Sequence, residues 1–151
     1  MTADPDDIRA WQRLDARTTT SGRLQQGDLA RLAAIGTRHV INLALDSHPD
    51  ALADEGAMLA ALGIGYTHIP VPFDTPTEAH FEQFCATLAA CGDAPVHVHC
   101  IMNWRVSAFF YRLNRDHRGM DAAQARALME AQWAPDRSAE TAAHVWADFI
   151  R

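Results

Sequence analysis

Three short runs, HVINLAL (His39–Leu45), YTHIPVPF (Tyr66–Phe73) and APVHVHC (Ala94–Cys100), alternate with longer stretches of helical periodicity. That alternation constrains the fold more than any other feature, because it predicts an α/β architecture with a mostly parallel sheet covered by helices. A chain of 151 residues leaves room for four or five strands and one domain, 1–151. Residues 1–17 are polar and weakly patterned, and TTTSG after them reads as a short extended piece ending at Gly22.

The helices carry their own start and stop signals. Asp28 predicts the N-cap of a first helix that ends at Gly36, with Leu29, Leu32, Ala33 and Ile35 at helical spacing. A second is predicted over roughly Ala51 to Leu62, before Gly63 and Gly65. In DTPTEAHF, Thr75 as N-cap, Pro76 at the first helical position and Glu78 three residues on predict a capping box, with Phe81, Phe84, Cys85 and Leu88 facing inward. A fourth helix follows in RVSAFFYRLNRDH, a fifth starts at Asp121, and a sixth is predicted from about Ser138 to Ile150.

Charge and cysteine usage narrow the function. A formal charge of -6 argues against broad binding to nucleic acid or anionic membranes, since the average face repels both. No signal-like or membrane-length apolar run is visible, and three cysteines, Cys85, Cys91 and Cys100, suit reduced thiols, so a cytoplasmic location is expected. His97 and His99 share one face of their strand, but no third ligand stands at a diagnostic spacing. They read as core histidines, and no metal or other cofactor is expected.

The chemistry concentrates where APVHVHC ends. In open α/β sheets ligands gather at the carboxyl ends of strands, where the next helix presents unpaired N–H groups and a positive dipole end. Cys100 to Arg105 occupies that place. Both the helix end and the guanidinium stabilise a thiolate, the nucleophilic form of cysteine, and the arginine fork can hold two oxygens of a phosphate. A cation at a helix start opposes the helix dipole, which favours an anion-binding role for Arg105. Cys85 and Cys91 lack such neighbours and read as packing residues.

His99, Cys100, Arg105 and Ser107 resemble the H-C-x5-R-[ST] signature of protein tyrosine phosphatases, especially the compact dual-specificity type. SGRLQQGDLARLAAIGTRHVINL, YTHIPVPFD and VHVHC are similar to the bacterial phosphatase-like family related to the beta-lactamase-hydrolase-associated phosphatase domain. The resemblance implies a three-layer α/β sandwich and a phosphomonoesterase working through a cysteinyl-phosphate. It makes Cys100 the nucleophile, Arg105 the ligand of the phosphoryl oxygens and Asp74 the general acid. The amides of Ile101, Met102, Asn103, Trp104 and Arg105 would line the phosphate cradle, with His99 in support and Ser107 stabilising the thiolate. The implied partner is a phosphorylated small molecule or a phosphoprotein.

This sequence departs from the signature by one residue, with four rather than five between Cys100 and Arg105. Asn103 stands where glycine is usual, and asparagine tolerates left-handed backbone better than most residues. A four-residue spacer is also found in rhodanese-like sulfurtransferases, so sulfur transfer is one alternative. A phosphate- or phosphoprotein-binding module without turnover is the other.

Overall fold

Successive side chains on a strand point to opposite faces, and the two faces of this sheet have different partners. The computed structural model describes residues 2–151. Five strands, β1 (Gln12–Arg13), β2 (Thr18–Ser21), β3 (His39–Asn42), β4 (Gly65–His68) and β5 (Val96–His99), lie in the order β1-β2-β5-β3-β4. Only the β1–β2 pair is antiparallel; β2, β5, β3 and β4 run parallel, with Val98 opposite both Thr20 and Ile41. Six helices surround them: α1 (Gln26–Ala34), α2 (Glu55–Ala61), α3 (Glu78–Ala90), α4 (Trp104–Asp116), α5 (Ala122–Glu130) and α6 (Ala143–Phe149). The expected α/β class with a mostly parallel sheet is what the chain adopts.

One face of the sheet packs Leu29, Leu32 and Leu59 of α1 and α2 against Val40. The other packs Ile41, Val96 and Val98 under α3 and α4, with Phe84, Phe109 and Trp146 fully buried. Burying each such ring or aliphatic side chain contributes about 1.5–3 kcal/mol relative to exposure. β5 is central, so its odd and even residues serve both layers: Val96 and Val98 enter the thicker core, while His97 and His99 face the α1–α2 side.

Several boundaries differ from the sequence reading. Helix α3 is capped by Thr77, whose hydroxyl accepts the His80 amide at 3.2 Å, whereas the Thr75 hydroxyl donates to Asp74 at 2.7 Å. Asp28 is not the N-cap of α1 but sits inside its first turn, accepting the Gln25 amide at 2.8 Å. Helix α2 starts at Glu55 because Asp54 adopts left-handed backbone (φ 58°), which breaks the helix predicted from Ala51. Between Pro135 and Arg137 the chain makes a 3-10 turn, and α6 begins only at Ala143. The weakly patterned N-terminal segment contributes β1 and places Trp11 on the His97 ring, 5.4 Å between centroids. No helix among the described residues is long and apolar enough to cross a membrane.

This wiring creates a crevice. Strands β3 and β5 are neighbours, yet β3 leads to α2 on one face and β5 to α4 on the other. Their carboxyl ends therefore part, which is the arrangement that opens a binding crevice in such sheets.

Candidate active site

A cleft of about 460 Å³ opens at that edge. Its floor is Cys100, Ile101 and Arg105; one wall is the segment after β3, from Leu45 to Pro49; the other is Phe73 and Trp104. Met102 and Glu140 complete the lining.

The turn from Cys100 to Trp104 is fixed from behind. The Arg23 amide donates to the Ile101 carbonyl at 2.9 Å, and a Cβ at Gly22 would come within 2.4 Å of that same oxygen, so only glycine allows the approach. Asn103 takes the left-handed conformation (φ 68°) and is fully buried. Its Nδ2 donates to the Ala10 carbonyl at 2.9 Å and to Thr20 Oγ1 at 3.0 Å, bonds that a glycine there could not make. Among the described residues, the first amide after Cys100 to meet a backbone acceptor is that of Ser107, on the Asn103 carbonyl at 2.8 Å. The amides from Ile101 to Arg105 are left to donate elsewhere, as at any helix start.

Arg105 leaves the first turn of α4 with its side chain almost wholly buried. The guanidinium donates to the Val71 carbonyl at 2.8 Å and lies 5.8 Å from the centre of the Phe73 ring. Among the described residues it forms no ion pair with a carboxylate. A buried charge without a counter-ion is costly unless an anion is to be supplied from outside.

The strand behind Cys100 carries two layers of buried polar contact. His99 meets Glu55 of α2 at 2.7 Å through Nε2 and faces the Cys100 carbonyl at 3.2 Å through Nδ1. His97 is held by the hydroxyls of Thr19 and Ser21, each at 2.8 Å, and burial pushes its imidazole well below the ordinary value, with His99 adding to the effect. The ring nitrogens of both histidines are thus occupied by protein groups.

The aromatic wall is braced as a unit. Trp104 stacks on Trp133 at 4.8 Å and 12°, Phe73 touches both rings, and the Trp146 indole donates to the Phe73 carbonyl at 2.6 Å. Trp104 is therefore a wall of the cleft and part of the packing beneath it.

Two anticipated residues lie apart from this cleft. Asp74 is exposed on the turn after Phe73, where its carboxylate accepts the Thr75 hydroxyl, and it is not among the lining residues. Ser107 donates to the Trp104 carbonyl at 3.1 Å and borders a separate small pocket with Gln12 and Thr20. Conversely, Glu55, Phe73 and Glu140 carried no motif that would single them out; Glu55 reads in sequence as an ordinary acid in the first turn of a helix.

The family model for the phosphatase-like domain of beta-lactamase hydrolase-like proteins matches residues 11–115, from β1 to α4. The chain belongs to that family. The phosphatase-like domain is similar in structure to a DUF442 protein from Shewanella putrefaciens CN-32, with 27% identity, a TM-score of 0.80 and coverage of 96% of this chain and 90% of that one. TpbA of P. aeruginosa, solved in complex with pTyr, shares the fold at 18% identity and TM-score 0.75, covering 100% and 87%. So does the core catalytic domain of the PP-IP phosphatase SIW14 from S. cerevisiae, at 11% and 0.72, covering 95% and 84%. No curated protein matches the sequence. The structural neighbours share the cysteine phosphatase fold, and the family makes this a phosphatase-like domain with phosphoric monoester hydrolysis as its class of activity.

Proposed function

We propose that the domain hydrolyses a phosphomonoester in two in-line steps at Cys100. The observation that carries this reading is the buried guanidinium of Arg105, without a carboxylate partner among the described residues, sharing a cleft floor with a thiol on the turn that leads into α4. In the first step Cys100 Sγ attacks phosphorus, the bond to the leaving oxygen breaks, and Asp74 gives that oxygen its proton. In the second, water attacks phosphorus, Asp74 takes a proton from it, and the phosphorus–sulfur bond breaks to return the thiolate and inorganic phosphate. Arg105 and the amides from Ile101 to Arg105 stabilise the charge on the phosphoryl oxygens in both steps.

Asp74 is assigned on position. It directly follows Phe73, a cleft wall, and turning toward the leaving oxygen costs one exposed hydrogen bond to Thr75, about 1 kcal/mol. Ser107 acts through the helix end rather than on substrate in this reading, given its bond to the Trp104 carbonyl. The substrate is a phosphorylated small molecule or a phosphoprotein, and the three free thiols suit the reducing cytoplasm.

The test is phosphate release from an aryl phosphate by wild type and by Cys100→Ser. Turnover in the first, its loss in the second and inhibition by vanadate support the proposal; equal inertness across varied phosphoesters sinks it. The placement of Asp74 outside the cleft walls favours one second reading, a phosphate-binding module without turnover, in which vanadate binds and nothing is hydrolysed.

A further inference from the structure

The cleft is electrostatically lopsided, and the residue that makes it so lies outside the segment shared with the family. Arg105 is the one arginine in the lining, and the chain contains no lysine. Glu140 is the one carboxylate there. It belongs to the stretch between α5 and α6, beyond the matched residues 11–115, and forms no ion pair among the described residues; its amide donates to Ser138 Oγ at 3.2 Å. Besides the reactive Cys100, the lining holds one more titratable side chain, His48, which accepts the Asp50 amide on Nδ1 at 3.0 Å, a bond that only the unprotonated nitrogen can make. Outside the lining, Arg9, which reaches Met102 Sδ at 3.9 Å, and Arg23 share the carboxylate of Asp50, at 3.0 and 3.6 Å, an arrangement with one positive charge in excess. Leu45, Phe73, Ile101 and Trp104 make the walls largely apolar.

A phosphate seated on Arg105 and the loop amides leaves its alcohol portion between aromatic and aliphatic walls with an unpaired carboxylate at one side. We propose that Glu140 is a specificity-determining residue, selecting phosphomonoesters whose alcohol portion is apolar and uncharged or cationic and disfavouring alcohols that carry further anionic groups, polyphosphates included. This rests on the phosphomonoester reading above. Trp104 and Phe73 add to the selection, since aromatic faces attract cations as well as apolar groups. In a partly open cleft a single charge contact changes affinity by about three- to tenfold, and salt weakens it.

The experiment compares aryl phosphates that differ only in a remote substituent: aminomethyl, methyl or carboxymethyl. It is run on wild type, Glu140→Gln and Glu140→Lys, with matched non-hydrolysable arylmethyl phosphonates titrated calorimetrically. For wild type, kcat/KM is expected to favour the aminomethyl over the carboxymethyl substrate by about tenfold at low salt. The ratio should fall to about twofold in Glu140→Gln and reverse in Glu140→Lys. A wild-type ratio near one, or a ratio unchanged in both variants, overturns the proposal while leaving phosphatase activity intact. Equal loss on all three substrates in Glu140→Gln, with loss of the alkaline limb of the pH profile, also overturns it by making Glu140 the proton donor. Without turnover, a charge preference among the phosphonates that Glu140→Gln removes upholds the selectivity and sinks the catalytic reading instead. Phosphonates that bind without preference, or not at all, count against the proposal.

Discussion

His99 and Glu55 approach to 2.7 Å with both side chains nearly inaccessible to water, joining the helix after β3 to the strand that delivers Cys100. Because the other ring nitrogen faces the Cys100 carbonyl, this pair connects the α2 layer to the start of the cradle.

Removing one partner should therefore be felt throughout the domain. Glu55→Ala is expected to lower unfolding free energy by about 3–5 kcal/mol, as for other broken buried pairs, and Glu55→Gln by less. Urea denaturation followed by tryptophan fluorescence checks this, and a wild-type midpoint in Glu55→Ala would show that the pair contributes nothing.

Arg105 should matter for anions rather than for charge alone. Arg105→Ala is expected to weaken vanadate binding by about a hundredfold, and Arg105→Lys to restore little of it, because an ammonium lacks the planar fork. Calorimetric titration with vanadate measures this without relying on turnover. Full rescue by lysine would mean that the guanidinium geometry is irrelevant.

The proton donor can be separated from the nucleophile by leaving group. Asp74→Asn should slow hydrolysis of an alkyl phosphate by about 10²- to 10⁴-fold but affect a nitrophenyl phosphate much less, since a good leaving group needs little protonation. Equal losses on both substrates would place the acid elsewhere.

Stability should fall on mild acidification. His97 is held well below its ordinary value of 6.5 by burial, and burial lowers His39 as well. A histidine whose folded pKa is depressed binds more protons when unfolded, so stability is fully present above about pH 6.5 and declines as pH drops below it toward the folded values. The slope is at most about 1.4 kcal/mol per pH unit for each group. Thermal melts between pH 7.5 and 5 check the trend. A variant with His97→Gln should flatten it, and an unchanged slope would remove His97 as its cause.

Gly22→Ala tests the rear of the loop. The added Cβ would lie 2.4 Å from the Ile101 carbonyl, so the turn has to shift, at about 1–3 kcal/mol and with weaker vanadate binding. Unaltered stability and binding would show that the contact is slack.

Much of this architecture was legible in the sequence because burial leaves a periodic imprint. β3 and β5 alternate between cores within the HVINLAL and APVHVHC runs, and the turn between β5 and α4 is marked by Cys100 and Arg105. Boundaries decided by competition between hydroxyls were not legible: Thr75 and Thr77 are chemically equal caps, and only the bond to Asp74 diverts the first. Glu55 was hidden for a similar reason, since a first-turn acid on α2 normally meets solvent and here turns inward to a histidine 44 positions away. Glu140 gave no signal either, because its place in the cleft depends on how the connection before α6 folds back.

The anchoring of Asn103 to the Ala10 carbonyl spans 93 positions of chain. It makes the opening residues part of the foundation on which the reactive turn stands. A protease cut or a bulky fusion near Ala10 should disturb chemistry that, counted along the sequence, belongs to the far end of the sheet.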